Sequence, residues 1–266
     1  MKSNRYLLLC LFLLLSGTAA WGQLSRMGLQ GGGGLAFLSD EMYSTSPMLS
    51  VGGSAYLDWE ISQKPGVNQF FSLRTGLGVA RRGGGFGLHL PTINAHREGV
   101  LSLWSLQLPV LAHLRFLLPI QRSYKRQYVS FSAGPMFQYA VAGHLQDRQS
   151  CSFYESSLVN YNVSLSGKEC FSHLRRIDMG LLLGLGYQYH NITADIIYEV
   201  GFVRQRNVED GLIFVDRVEG APANDVAPQN PQGHSGTFST LSLRIGYQWP
   251  LHPHFTRHAI ENPFKQ

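Results

Sequence analysis

Apolar and polar residues alternate along eight segments of the chain. In segment 241–249, Leu, Leu, Ile, Tyr and Trp occupy the odd positions, while Ser, Arg, Gly and Gln occupy the even positions. Residues two apart share a face of a strand, so each segment predicts a strand with one apolar face. The alternation of apolar and polar residues is less regular around Trp104, Ser105 and Pro135, where we expect bulges. The predicted strands are 27–38, 49–60, 70–80, 101–116, 127–142, 177–189, 192–202 and 241–249.

The connectors between these segments are alternately short and long. The short ones are 62–69, 117–126 and 190–191, and the long ones are 39–48, 81–99, 143–176 and 203–237. Bacterial outer-membrane barrels have short periplasmic turns and long outer loops, and each of their strands needs about 9–11 residues to cross the bilayer. The pattern therefore predicts an all-β fold, an eight-stranded antiparallel up-and-down transmembrane β-barrel in the cell outer membrane. Both termini are expected at the periplasm.

Alternation alone also fits a soluble lipocalin-like barrel with an apolar interior. Two features favour the membrane barrel. Closing the sheet satisfies every backbone group in lipid, and the charged residues of the polar face can pair across a narrow lumen. Aromatic residues of the apolar face also gather at the predicted periplasmic ends, as in an interfacial girdle. They are Trp59, Phe71, Phe116, Tyr128, Tyr187, Tyr189, Tyr247 and Trp249.

The polar face carries a predicted lumenal charge network. Side chains largely fill an eight-stranded barrel, so we expect no open channel. We interpret the charges as ion pairs that hold the barrel shut, although desolvation makes such pairs weak evidence for stability. The alternative is a gated or proton-linked path that uses the same carboxylates and His113. The network comprises Asp58, Arg74, Arg115, Asp178, Asp195, Glu199 and Arg244, and Glu60 shares their face.

The first 22 residues have the features of a secretory signal peptide. Lys2 and Arg5 precede the apolar run 7–15, and small residues follow up to Gly22. The run is too short for a membrane-spanning helix, and Cys10 lies too early for a lipoprotein cysteine. The expected domains are the signal peptide 1–22, the barrel 23–249 and a periplasmic tail 250–266.

The charge pattern argues against nucleic-acid binding. Without Lys2 and Arg5 of the leader, 20 Lys and Arg stand against 17 Asp and Glu, a net charge of about +3. The basic doublets at 81–82, 125–126 and 175–176 are interpreted as solvated loop positions, because no basic stripe is interleaved with stacking aromatics. The expected partners are outer-membrane lipid and lipopolysaccharide, with another outer-membrane or periplasmic protein as a further candidate.

Two cysteines follow the leader, Cys151 and Cys170, and both fall in the third long outer loop. The export route is oxidising, so we predict a disulfide between them, worth about 3 kcal/mol in the chain-entropy model. Two free thiols are the alternative. We expect no metal there, because His173 alone does not supply a set of ligands.

An enzyme would need Ser, His and acidic residues to converge at the outer rim. The candidates are Ser44, Ser46, His89, His96, Ser150, His234 and Ser239, but no Gly-x-Ser-x-Gly elbow surrounds any serine.

The tail carries His252, His254 and His258, yet Pro250 and Pro253 disfavour a regular metal-binding scaffold. The glycine run 31–34 lacks the helix that a dinucleotide site requires, and strand glycines permit coiling and close packing. We expect no catalysis, cofactor or metal.

Several segments resemble the PorT-like outer-membrane barrel family, which is common in bacteria that carry type IX secretion. The segment from Leu106 to Phe116 resembles that family's apolar-Pro-apolar strand, and 132–135 (Ser-Ala-Gly-Pro) resembles its Gly-Pro turn. The Gly-rich strand 180–189 and the terminal strand 241–247 also match. The resemblance covers nearly the whole mature chain and implies an eight-stranded barrel. A few members belong to secretion machinery. This chain departs from many barrels by continuing for 16 residues after Pro250.

Three classes of function remain open from the sequence. The narrowly favoured one is an accessory subunit that docks on an outer-membrane secretion or transport complex through its lipid-facing wall, turns or tail. The second is a stand-alone structural or surface-binding barrel that acts through long outer loops, such as 203–237. The third, a lipid-modifying enzyme, is disfavoured because the sequence around its serines shows no nucleophile motif.

Overall fold

A computed structural model describes residues 23–39, 44–62, 69–90, 95–118, 127–152, 158–168, 170–173, 175–203 and 237–251. The predicted signal peptide 1–22, most of the outer loop 203–237 and most of the tail 250–266 lie outside these residues. Among the described residues, no helix has the length and apolar character needed to cross a membrane.

The described chain forms ten strands and one short helix. The elements are β1 (Gln23–Ser39), β2 (Ser44–Ser46), β3 (Met48–Ser62), β4 (Gln69–Leu90), β5 (Ala95–Leu117), β6 (Gln127–Ser152), β7 (Leu158–Ser166), α1 (Cys170–His173), β8 (Ile177–Tyr189), β9 (Ile192–Gly201) and β10 (Thr237–Pro250).

Eight of these strands close into an antiparallel ring. Each pairs with the next barrel strand along the chain, and β1 pairs with β10 to close the sheet. Arg26 lies opposite Pro250, so the ends of the first and last strands meet at one rim. The predicted eight-stranded up-and-down barrel is therefore confirmed, and closure leaves no unpaired edge around the ring.

The two faces of the wall follow the predicted alternation. On β8 every odd residue from Ile177 to Tyr189 is exposed and every even one is buried, and β10 repeats the pattern from Leu241 to Gln248 with a half-buried Gly246. Exposed apolar side chains on the outside of a closed barrel are what lipid requires. Of the predicted girdle, Tyr128 is placed wrongly, because its side chain is 3% exposed and points into the lumen.

The predicted bulge at Trp104 and Ser105 is confirmed, because the β5–β6 register shifts between these two residues. The bulge expected at Pro135 is wrong. β6 passes Pro135 in unbroken register with β8, and its pairing with β5 resumes after this point at the same offset. A proline lacks one N–H, and here the loss interrupts the pairing with β5 without inserting a residue.

Three strands extend far beyond the others on the side of the long loops. β4, β5 and β6 have 22, 23 and 26 residues, against 13, 10 and 14 in β8, β9 and β10. The expected outer loops 81–99 and 143–176 are therefore largely strand. β7 pairs with the far end of β6, and β2 with the far end of β4. We call this extension the outer sheet: β2, residues 81–90 of β4, 95–104 of β5, 142–152 of β6, and β7.

Candidate functional site: the filled lumen and its outer cover

The first ion pair of the lumen joins neighbouring strands. Arg74 on β4 donates from Nε to Oδ1 of Asp58 at 2.7 Å and from Nη2 to Oδ2 at 3.0 Å. Asp58 on β3 is fully buried. Arg74 Nη2 also lies 3.1 Å from Nε2 of His113. Because a guanidinium only donates, Nε2 of His113 accepts and the ring carries its proton on Nδ1.

A second pair crosses the lumen. Arg82 on β4 contacts Asp178 on β8 at 2.6 Å, and its Nε donates to Ser105 Oγ at 3.1 Å. The other carboxylate oxygen of Asp178 accepts the backbone N–H of Val203. The pair therefore joins strands that are separated in the wall by β5 and β6.

A third pair joins β9 to β10. Arg244 Nη2 donates to Glu199 Oε1, and Gln107 on β5 donates to the other oxygen of Glu199 at 2.9 Å. All three residues are buried. Asp195, in contrast, forms no ion pair with any described residue, and its Oδ2 has no hydrogen-bond partner.

A cavity of about 20 Å³ adjoins Asp195 in the middle of the lumen. This volume is about that of one water molecule, so side chains leave little free space beside Asp195. One side of the cavity is polar, with Gln30, Tyr56 and Arg244. The other side is formed by a buried apolar cluster of Leu111, Met136, Leu182 and Ile197, three of which line the cavity.

An apolar cluster covers the lumen at the end that carries the outer sheet. We call it the outer cluster: Leu38, Phe86, Leu101, Leu103, Leu145, Cys170 and Phe238, with Leu165 and Phe171 packed against it. Helix α1 contributes Cys170 and Phe171, and the guanidinium of Arg82 lies 5.3 Å from the ring centroid of Phe238. The Arg82–Asp178 pair therefore lies directly below an apolar cover.

The predicted disulfide is absent from the structure. Cys170 is a free, buried thiol whose Sγ lies against Gly143 of β6. Cys151 is eight residues further along β6, about 26 Å at about 3.3 Å per residue, whereas disulfide-linked Cα atoms lie within about 7 Å. Extension of β6 beyond the predicted strand end separates the two cysteines. Burial raises the pKa of the Cys170 thiol.

The structure places all seven residues of the predicted lumenal network inside the barrel. It brings six of them into ion pairs: Asp58 with Arg74, Asp178 with Arg82, Glu199 with Arg244, and Arg115 with Glu60 at 4.0 Å. Asp195 is the predicted member that forms no ion pair within 4.0 Å of a described residue. The sequence interpretation missed Arg82, which was assigned to a solvated loop. Its even position continues the inward face of Arg74, Gly78 and Ala80, and that parity was the signal available.

Ser44 and His96 are two of the candidate residues of the outer rim for which the structure describes contacts. Ser44 donates to the carbonyl of Gly87, which fixes β2 to β4. His96 Nε2 lies 3.7 Å from Glu98, and both side chains are exposed. His234 and the tail histidines lie outside the described residues, within which no group of three potential metal ligands occurs.

The closed ring, the lipid-compatible wall and the filled lumen define an outer-membrane β-barrel. Residues 21–204 match the outer membrane protein beta-barrel domain family, and the chain belongs to it. The protein is located in the outer membrane. No curated protein matches the sequence.

Several solved structures are similar. One is Ail, the attachment invasion locus protein of Yersinia pestis, with 13% identity, a TM-score of 0.31, and coverage of 85% of this chain and all of that one. A second is Neisserial surface protein A, with 12% identity, a TM-score of 0.28, and coverage of 84% of this chain and 97% of that one. A third is the N-terminal barrel of Pseudomonas aeruginosa OprF, with 12% identity, a TM-score of 0.21, and coverage of 86% and 99%.

Proposed function

We propose that this protein is a non-conducting, non-enzymatic barrel that binds a partner at the cell surface through its outer sheet. The observation that carries this proposal is the length of β4, β5 and β6, which continue well beyond the barrel wall of β8 and β9. Long strands joined by hydrogen bonds give a preorganised surface, and preorganisation lowers the entropic cost of binding.

The outer sheet is also supported from below. Its inner face carries Phe86, Leu101 and Leu145, which pack in the outer cluster with α1. Beyond Val141, residues 144–152 of β6 are polar apart from Leu145 and Cys151, as expected for a part of the sheet in water. A rigid, solvated sheet above a closed barrel suits a binding role better than transport.

A sharp test shortens the outer sheet without disturbing its core. Gly87 faces Glu98, and Leu145 faces Leu165, in the strand register. Replacing 88–97 and 146–164 each by Asn-Gly would connect these partners through two-residue hairpins. Deletion of 252–266 is the matched control. Folding of each variant is checked by its faster migration on a gel before boiling.

Tagged wild type and both variants are crosslinked briefly on intact cells, extracted in mild detergent and compared. We expect a stoichiometric partner to be lost with the shortened sheet and retained without the tail. The sequence favoured an accessory subunit of a secretion or transport complex, and this role stays the second candidate. Loss of the partner only without the tail would support it and overturn the surface-binding proposal.

Conduction and catalysis have separate tests. In planar bilayers the wild type should give no steady ohmic current, because three ion pairs and the outer cluster occupy the lumen. Steady conductance would contradict the proposal. Release or transfer of acyl chains from phospholipid or lipopolysaccharide by the purified barrel would contradict its non-enzymatic part.

A further inference from the structure

The last inward-facing layer at the periplasmic rim contains two arginines that share one aromatic ring. The guanidinium carbons of Arg26 and Arg115 each lie 5.8 Å from the centroid of Tyr128. Arg115 also lies 5.4 Å from the ring of Phe70, which packs edge-on against Tyr128 at 6.0 Å. Two like charges therefore converge on one side of this layer.

The guanidinium of Arg115 is buried and forms no hydrogen bond with a described residue. Its side chain is 1% exposed, and none of Nε, Nη1 and Nη2 has a hydrogen-bond partner. The nearest carboxylate oxygen among the described residues, Glu60 Oε1, is 4.0 Å away, too far for a hydrogen bond. Burying a guanidinium whose five N–H groups form no hydrogen bonds costs free energy. Two oxygens of one oxyanion can accept two parallel N–H groups of a guanidinium, so an oxyanion is the acceptor that matches its geometry.

Arg26 lies beside this unsatisfied group and is weakly held. Its side chain is half-buried, and its hydrogen bond to Gln188 Oε1 is 3.4 Å long. Arg26 is therefore able to turn toward or away from a ligand that reaches Arg115 from the periplasm. With Glu60 as the nearest carboxylate, the two guanidiniums present a local excess of positive charge.

The sequence of the periplasmic turns carries the same sign. The turn segments 63–68 and 119–126 contain Lys64, Arg122, Lys125 and Arg126, and neither contains Asp or Glu. Basic residues in these segments attract anionic groups of the adjacent leaflet and concentrate soluble anions.

We propose that Arg26 and Arg115 form a binding site for a phosphate-type oxyanion at the periplasmic mouth of the barrel. Arg115 binds one edge of the oxyanion, and Arg26 closes over it from the periplasmic side. The phosphate belongs either to a phospholipid headgroup of the inner leaflet or to a soluble phosphate compound. This site lies at the opposite end of the barrel from the outer sheet. A test that overturns this site therefore leaves the proposed function unaffected, and the reverse also holds.

The test uses the mature full chain in neutral maltoside micelles. Thermal unfolding is followed by the gel shift while inorganic phosphate is titrated against sodium chloride at equal ionic strength. A second titration uses short-chain phosphatidylglycerol, with the matching uncharged diacylglycerol as its control. The variants are Arg26→Gln and Arg26→Lys, because Arg115→Gln risks misfolding. Arg148→Gln, which removes an exposed arginine of β6, is the matched control.

Saturable stabilisation by phosphate, weakened about tenfold or more in apparent affinity by Arg26→Gln and unchanged by Arg148→Gln, would support the site. Stabilisation by phosphatidylglycerol alone, with the same dependence on Arg26, would support it and identify the headgroup as the source. Stabilisation by neither probe, or an equal effect in Arg26→Gln, would overturn it, and ordered water would then solvate Arg115. If Arg26→Gln does not fold, broadening of the phosphorus NMR signal by wild type and by Arg26→Lys decides the question. If the phosphorus NMR signal stays sharp in the presence of the wild type, the proposed site is overturned.

Discussion

Arg82 and Asp178 form a buried ion pair 2.6 Å long between β4 and β8, two strands that do not touch in the barrel wall. Their side chains thus connect opposite parts of the ring through the lumen. Arg82 lies at the boundary between the ion pairs and the outer cluster, so the pair links the polar interior to the apolar cover.

Removing one partner of this pair should destabilise the barrel strongly. Arg82→Ala leaves the Asp178 carboxylate buried without its cation, and we expect a loss of about 3–5 kcal/mol. Arg148→Ala removes an arginine that is 62% exposed and should change stability by less than about 0.5 kcal/mol. Urea unfolding in lipid vesicles, read by gel mobility, measures both. The double variant Arg82→Ala with Asp178→Ala should lose less than the sum of the single variants. Strict additivity would show that the pair contributes nothing.

Two lumenal aspartates should respond differently to the same change. Asp178→Asn breaks an ion pair and should cost several kcal/mol. Asp195→Asn removes a charge that forms no ion pair with a described residue. We expect Asp195→Asn to be neutral within about 1 kcal/mol or stabilising. The same unfolding experiment compares the two. A larger loss for Asp195→Asn would mean that its carboxylate is bound more strongly than the described contacts indicate.

Two adjacent glycines of β1 test the close approach of strands. An added Cβ at Gly32 would lie 1.9 Å from the carbonyl oxygen of Leu243, whereas at Gly31 the nearest atom is 3.7 Å away. Gly32→Ala should therefore cost about 1–3 kcal/mol through overpacking against backbone. Gly31→Ala faces lipid and should be neutral or stabilising by about 0.5–1 kcal/mol. Refolding yield and urea midpoints distinguish them, and equal effects would refute the described packing of β1 on β10.

The Cys170 thiol should react slowly in the folded protein. Burial raises its pKa, so it stays protonated at neutral pH and becomes a reactive thiolate only as the pH rises past that value. In a Cys151→Ser background, maleimide labelling at pH 7 should be slow when folded and rapid after unfolding. For the wild type, gel mobility should be the same with and without reductant. A shift that requires both cysteines would restore the disulfide prediction.

The barrel could be read from the sequence because lipid outside and charge inside impose a strict two-residue period. That period runs unbroken along β8, and on β10 it runs from Leu241 to Gln248 with a half-buried Gly246. Both strands were predicted within a few residues. The period also placed Asp58 and Arg74 on the inner face. Where one face of a strand lies in lipid and the other in the lumen, the parity of a residue is therefore sufficient to predict which face carries it.

The outer sheet could not be read in this way. Arg81 and Arg82 precede three glycines, a local signal for a loop, and the strand was ended at residue 80. Pairing with β5 and burial of Phe86 override that signal. Tyr128 was misplaced for a related reason, since an aromatic at a strand end fits a girdle, whereas here it stacks on arginines inside. The disulfide prediction assumed that Cys151 and Cys170 lie in one loop. The sequence did not indicate that β6 extends through this loop and separates them.

In the described part of the chain, two layers of side chains close the lumen. The ion pairs belong to the barrel strands, and the outer cluster adds Cys170 and Phe171 of α1. Neither layer includes a described residue from 88–97 or 146–164. The permeability barrier and the surface that meets the outside are consequently separable parts of one chain. Foreign segments grafted between Gly87 and Glu98 should be displayed on the cell surface without making the membrane leak.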